Sequence, residues 1–366
     1  MEDLKRIASC FSIEGTIKEI TPLGNGLIND TYKVTTEGNC PDYVLQRINN
    51  AIFTDVELLQ NNIEAATRHI RRKLEAAGET DIDRKVLRFI PLKDSPKTYI
   101  EMDGKFWRIS VFINGAKTYE TVNPEYSEYA GEAFGHFEAM LADIPDTLGE
   151  TIPDFHNMEL RLRQLVEAVH DDKAGRLAAD PADGELHKIL EEIDAHGVEM
   201  CKAEQMHLDG ILPKRICHCD TKVNNMLFDR DGLVLCVIDL DTVMPSFIFS
   251  DYGDFLRTGA NFTAEDDPDL SRVGFNEEIF KAFTTGYLES AREFLTSIEV
   301  EHLPYAVALF PFMQCVRFLT DYINGDTYYK IKYPTHNLDR ARNQLALYRD
   351  VRKHDKAMTA FIHTLL

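Results

Sequence analysis

The sequence predicts an α+β protein in two parts. A small antiparallel-sheet region spans residues 1–112, and a larger, mainly helical region spans residues 113–366. Three observations carry this. Short apolar-alternating stretches separated by turn residues fill the first part, with one long helical pattern among them. From Pro124 onward apolar residues recur at helical spacing. Within that helical territory lies one strand-rich island, Arg215 to Thr242, dense in Asp and Asn.

Composition narrows the possibilities. With 366 residues and 44% hydrophobic content, the chain can bury a large core. Its net charge of -21 argues against nucleic acid or an anionic membrane as the main partner. No stretch approaches the ~18 apolar residues of a membrane span, and Met1-Glu2-Asp3-Leu4-Lys5-Arg6 leads into no apolar leader. Seven irregularly spaced cysteines do not make a disulfide framework, which fits a reducing cytoplasm. Cys217-His218-Cys219 lacks a second pair at ligand spacing, so zinc is not expected.

The first 20 residues read as a lead-in helix and a first strand. In Gly24-Asn25-Gly26-Leu27-Ile28-Asn29, Gly24 and Gly26 let backbone approach a phosphate, and Asn29 stands near the place of a third glycine. The same residues also suit a plain Asn-Gly hairpin. Tyr43–Ile48 is the next strand, and either Gln46 or Arg47 faces the phosphates. Adjacent strand residues point to opposite faces, so not both do. Residues Asp55–Ala77 form a long amphipathic helix in which Glu57 or Glu64 reads either as a solvated helix carboxylate, the commoner case, or as a partner that orients the basic strand residue. Strands follow at Val86–Leu92, Thr98–Met102 and Phe106–Phe112, with Asp103-Gly104 as a tight turn. Phe112 to Asn114 ends the sheet, either as an adenine-binding hinge or as a simple strand exit. Helices are expected at Tyr126–Leu141, Met158–Val169 and Gly184–Leu208, and again after Ser250. Arg317 and Asp321, four apart in an apolar helix, share one face and read as an ion pair or as ligand groups.

The island carries the chemistry. His218-x-Asp220 is followed by Asn225, an apolar strand, and Asp239 at the strand's end. Phosphoryl transfer needs a carboxylate to take the attacking hydroxyl's proton and oxygen ligands to hold Mg2+ against the phosphates. A tight loop presents Asp220 and Asn225 to one point, and the following hairpin returns Asp239 there.

On these residues the chain resembles the protein-kinase-like aminoglycoside phosphotransferase superfamily, over nearly its whole length. Asp220-Thr221-Lys222-Val223-Asn224-Asn225, Cys236 to Pro245, Arg317-Phe318-Leu319-Thr320-Asp321-Tyr322 and Tyr333-Pro334 through Gln344 are similar to the N-acetylhexosamine 1-kinase group within it. The resemblance implies ATP and Mg2+ bound between two lobes. Asp220 would act as base, Asn225 and Asp239 as metal ligands, His218 as a brace for the loop, and Lys222 as a counter-charge to the moving phosphoryl group. The acceptor it implies is the anomeric hydroxyl of GlcNAc or GalNAc, a small-molecule sugar. Arg317 leads the candidates for holding it, followed by Asp321, Tyr322 and Arg257. Two other readings stay open: a kinase of another small alcohol (an amino alcohol, an aminoglycoside, another sugar) and a non-catalytic nucleotide-binding protein.

Overall fold

A computed structural model describes residues 2–24, 28–119 and 122–366. The chain forms two compact units. The first takes Met1–Tyr119, Phe137–Pro153 and Asn224–Pro245; the second takes Glu120–His136, Asp154–Val223 and Ser246–Leu366. The first therefore recruits two later segments of chain besides its N-terminal stretch.

The first unit is built on a five-stranded antiparallel sheet of order β1-β2-β3-β5-β4. Its strands are β1 (Ile17–Pro22), β2 (Asp30–Thr36), β3 (Tyr43–Ile48), β4 (Tyr99–Met102) and β5 (Lys105–Val111). Helix α1 (Glu2–Ala8) supplies Ile7 and Ala8 to one face, where Val34, Tyr43, Leu45, Trp107 and Ile109 form the core. The alternation along β3 and β5 puts Gln46 and Arg108 on the other face, directly opposite each other across the strands. The Asp103-Gly104 turn forms as expected, with both residues at positive φ joining Met102 to Lys105.

Helix α2 (Val56–Ala76) starts where Asp55 accepts the Leu58 N–H at 2.9 Å and buries Leu59, Ile63, Ala66 and Ile70. The strand expected at Val86–Leu92 does not form. After α3 (Ile82–Lys85), Ile90 N–H bonds Ile109 and Val111 N–H bonds Arg88, but only isolated bridges result. Pro91 has no N–H to give and interrupts the ladder.

The second unit is helical. Helix α4 (Pro124–Leu141) contributes its residues up to His136. It is joined by α5 (Met158–Asp171), α6 (Glu185–Met200), α7 (Lys202–Leu208), α8 (Phe249–Gly259), α9 (Glu277–Ala291), α10 (Ser297–Glu301), α11 (Leu303–Ile323), α12 (His336–Lys353) and α13 (Asp355–Thr364). The single helix expected over Gly184–Leu208 is broken at Cys201. There the Tyr305 hydroxyl inserts, donating to Met200 O at 2.7 Å and accepting Ala203 N–H at 3.3 Å. Helix α11 also corrects an expectation: it is long and apolar enough to cross a membrane. However, 78% of its most apolar window is buried, packed by α5, α8 and α12 as a core helix.

Glycines set two close crossings. A Cβ at Gly131 of α4 would lie 2.0 Å from Phe283 O, and one at Gly286 of α9 would lie 2.1 Å from Glu128 O. The backbones of α4 and α9 thus touch. Likewise a Cβ at Gly253 would lie 2.6 Å from Ala306 O, which seats α8 on α11. Gly286→Ala is expected to destabilise the protein by about 2 kcal/mol or more, because backbone cannot yield as a side chain does. A urea midpoint equal to wild type would show that the crossing tolerates a methyl group.

Candidate active site

In the second unit, the segment entering the expected catalytic loop is held by one buried carboxylate. Asp251, near the start of α8, accepts His218 N–H at 2.7 Å and Cys219 N–H at 2.6 Å, and its carbonyl accepts the Thr221 hydroxyl at 2.7 Å. Cys219 sits at φ 63°, a left-handed turn that reverses the chain just before Asp220. His218 is fully buried, with Phe134 of α4 packed edge-on at 5.6 Å. Its Nδ1 accepts the Asp220 N–H at 3.3 Å, which leaves the ring proton on Nε2. These contacts brace the loop.

Lys222 Nζ lies 2.5 Å from Asp220 Oδ1. Burial opposes the Lys222 charge, but the carboxylates of Asp220 and Asp254 overcome it and push its pKa above the ordinary lysine value. Asp254 in turn is paired with Arg257 at 3.0 Å, and Arg257 with Glu265 at 2.7 Å. Burial raises the Asp254 pKa although Arg257 opposes the rise, and Arg257 itself is held above its usual range by its two carboxylates. Arg257 is therefore buried and taken up by protein carboxylates.

Arg317 stands differently. It forms no ion pair among the described residues, and its guanidinium lies over the rings of Phe155 at 5.4 Å and Tyr329 at 5.8 Å. The pair anticipated with Asp321 is not made. The Asp321 carboxylate instead accepts the N–H groups of Thr327, Tyr328 and Tyr329 and the amide of Asn337, all within 2.9 Å. It organises the turn that carries Tyr329, and four donors fill it. The Tyr322 ring is covered by Arg176, whose guanidinium carbon is 4.0 Å from the ring centre.

In the first unit, the β-hairpin of β6 (Met226–Phe228) and β7 (Val234–Val237) brings Asn225 and Asp239 together. The Met226–Val237 pairing, extended by Ile238 N–H to Asn225 O at 2.9 Å, sets the two residues just beyond the two strands at the hairpin's open end. Asp239 takes a left-handed conformation, φ 60°, that turns the chain out of the strand. The following segment is clamped from three sides. Asn62 of α2 donates to Val243 O at 2.9 Å, Thr151 donates to Asp241 O at 2.9 Å, and the Asp241 carboxylate binds Arg108 at 2.5 Å and the Asn29 amide at 2.7 Å.

The candidates for holding phosphates fall as follows. Gln46 accepts from Arg108 Nε at 3.0 Å and donates to the Thr31 hydroxyl. Arg47, on the opposite face, pairs with exposed Asp30. Two basic residues share the Gln46 face: Lys33 of β2, paired with Asp42 at 3.0 Å, and Arg108 of β5, directly opposite Gln46, which only strand register reveals. Glu64 accepts the Thr98 hydroxyl rather than a guanidinium. Asn29 is buried, with its amide on Asp241 and its carbonyl oxygen accepting Asn49 N–H at 2.9 Å. Gly24 sits at φ 69° with open space around it, and Gly26 lies outside the described residues. The Phe112 ring lies under Lys33 Nζ at 4.1 Å, while Asn114 is exposed and its carbonyl accepts from Arg84.

A family model described as the phosphotransferase enzyme family matches residues 19–293. The chain belongs to that family. Three solved structures share the fold of this phosphotransferase. An aminoglycoside phosphotransferase from Alicyclobacillus acidocaldarius aligns with TM-score 0.64 and 13% identity, over 99% of this chain and 96% of its own. A choline kinase from Cryptosporidium parvum gives 0.59 and 16%, over 99% of each chain. A spectinomycin phosphotransferase in complex with ADP and spectinomycin gives 0.55 and 12%, over 97% of this chain and 98% of its own. Such identities establish the α+β, protein-kinase-like fold of this phosphotransferase and leave its acceptor to the chemistry of the site.

The two arginines on β3 and β5 are expected to behave oppositely. Arg108→Met strands a buried Asp241 carboxylate and should cost about 3–5 kcal/mol, whereas Arg47→Met removes an exposed pair and should cost under about 1 kcal/mol. Chemical denaturation of both variants measures this, and equal losses would contradict the assignment.

Proposed function

We propose that this phosphotransferase is an ATP-dependent anomeric sugar kinase that converts an N-acetylhexosamine, GlcNAc or GalNAc, to its 1-phosphate. The single observation that carries the reading is the composition of the second unit's charged cluster. Asp220 pairs with Lys222, and among the described residues Arg317 forms no ion pair and lies over aromatic rings instead. Such a cluster suits a neutral polyol held by a guanidinium beside a base.

In this reading the Asp220 carboxylate takes the proton of the anomeric hydroxyl as that oxygen bonds to the γ-phosphorus of ATP, and the bond to the bridging β,γ-oxygen breaks to release ADP. Lys222 holds Asp220 in place and offsets the charge that gathers on the phosphoryl oxygens. His218 and Asp251 keep the loop in register. Arg257 acts through Asp254 rather than on the sugar, since both of its sides are occupied. Arg108 supplies the basic group of the nucleotide half, fixed by Asp241.

Asn225 and Asp239 offer an amide oxygen and a carboxylate from the open end of one hairpin. These are hard donors, and the Cys236 thiol of the same hairpin is buried and bonds Val237 O, so the pair fits Mg2+. Mg2+ bound there would neutralise phosphate charge. The seven cysteines form no disulfide, and we place the enzyme in a reducing cytoplasm.

Mg2+-dependent ADP release should be stimulated by GlcNAc or GalNAc, and not comparably by choline or kanamycin, with the sugar 1-phosphate detected by phosphorus NMR. No sugar-stimulated turnover would refute the reading. Asp220→Asn should lose about 10²–10⁴ in turnover while ATP affinity stays near wild type. Near-wild-type turnover in that variant would remove Asp220 as base.

A further inference from the structure

The second unit contains a group of buried polar atoms that bond nothing in the protein. His156 Nδ1, Tyr329 Oη and Arg161 Nε have no hydrogen-bond partner among the described residues. A buried polar atom left unpaired costs free energy comparable to a lost hydrogen bond, so such a set calls for a ligand. The three lie together. His156 stacks on Phe155 at 4.3 Å and meets the Phe310 edge at 4.9 Å. Phe155 and Tyr329 both carry Arg317 over their faces. Arg161 donates to Phe155 O at 2.6 Å beneath the same turn.

The charge around these atoms is one-sided. Burial, reinforced by the guanidiniums of Arg317, Arg161 and Arg257, holds the His156 pKa well below the usual imidazole range, so the ring is neutral. Burial likewise raises the Tyr329 pKa and keeps its hydroxyl protonated. Arg161, pushed down to about 10 by burial and by Arg317, remains charged at neutral pH. The nearby carboxylates are already engaged. Asp254 and Glu265 bind Arg257, Asp321 holds its four donors, Asp154 accepts from Asn157 and Asp220 pairs with Lys222. A cation entering here meets guanidiniums, beside carboxylates that protein donors already occupy. A hydroxyl or amide oxygen meets donors from Arg317 and Tyr329, with the neutral imidazole available beside them.

We infer that His156, Tyr329 and Arg317 form an acceptor subsite that takes an uncharged oxygen-bearing group, an amide carbonyl or a hydroxyl, and turns away cationic amines. The inference rests on the acceptor site lying in this cluster, as the proposed function has it. It adds a rule of charge that the anomeric reaction does not require.

Two ligand pairs test it by titration calorimetry at about pH 6.5, where an amine is protonated: 3,3-dimethylbutan-1-ol against choline, which have the same shape and differ in charge, and GlcNAc against glucosamine, which differ in charge and in the acetyl group. The uncharged member of each pair should bind at least ~10-fold more tightly, and Arg317→Gln should narrow that gap. Tyr329→Phe removes a hydroxyl that bonds nothing in the protein. It should leave the urea midpoint unchanged and raise KM for the uncharged acceptor ~3–10-fold, with KM for ATP unmoved. Cationic members that bind as tightly as their neutral partners, or a Tyr329→Phe variant with unaltered acceptor KM, would overturn the subsite. If GlcNAc proves no substrate while the neutral alcohol still outbinds choline, the anomeric-kinase reading fails and the subsite stands.

Discussion

The carboxylate of Asp241 takes a hydrogen bond from Asn29 and an ion pair from Arg108, and all three residues are buried. Through these partners it ties the end of the glycine-containing loop, the inner strand β5 and the segment after Asp239 to one point. Buried ion pairs are rarely large net stabilisers, because desolvation offsets the Coulomb attraction. What such a pair supplies is definition: neither partner can leave without stranding a charge, so the three segments share one arrangement. Asn62 and Thr151 reinforce it by occupying the backbone carbonyls of Val243 and Asp241.

The second unit uses the same device with different partners. Asp251 accepts two consecutive backbone N–H groups ahead of Asp220, and Gly253, two residues on, allows α8 to lie against α11. A close helix crossing thus fixes where the carboxylate sits, and the carboxylate fixes where the loop runs. The α4–α9 crossing acts one step further away, because Phe134 packs between that helix pair and the His218 ring.

Much of this was legible in the sequence. The sheet strands, helix α2 and the Asp103-Gly104 turn follow from alternation, periodicity and turn chemistry, while Asp55, read as part of the helix, proves to be its cap. The island from His218 to Asp239 was legible because phosphoryl transfer constrains residue type and order together. What stayed hidden depends on long-range register. Arg108 faces Gln46 only through the β3–β5 pairing, so the chain around Gln46 left the choice between Gln46 and its neighbour Arg47, which pairs with Asp30 on the other face. Asp321 looked like an ion-pair partner because it lies one helical turn from Arg317, but the turn at 327–329 competes for it with backbone donors that no helix periodicity reveals. Arg257 is the same lesson in reverse. A lone arginine in sequence is, in the fold, already neutralised by Asp254 and Glu265.

The division of the chain has a consequence for biosynthesis. The first unit's sheet is complete by Val111, but the hairpin bearing Asn225 and Asp239, and the Asp241 that Arg108 needs, belong to residues 224–245. At roughly 5–20 residues per second of translation, the N-terminal sheet leaves the ribosome several seconds before its own buried counter-ion exists. During that interval Arg108 has no carboxylate to enter the core with, and the nascent sheet stays unfinished. A stalled or truncated chain ending before Asp241 is therefore a natural client for chaperones, and fragments cut at the sheet's end are poor candidates for independent expression.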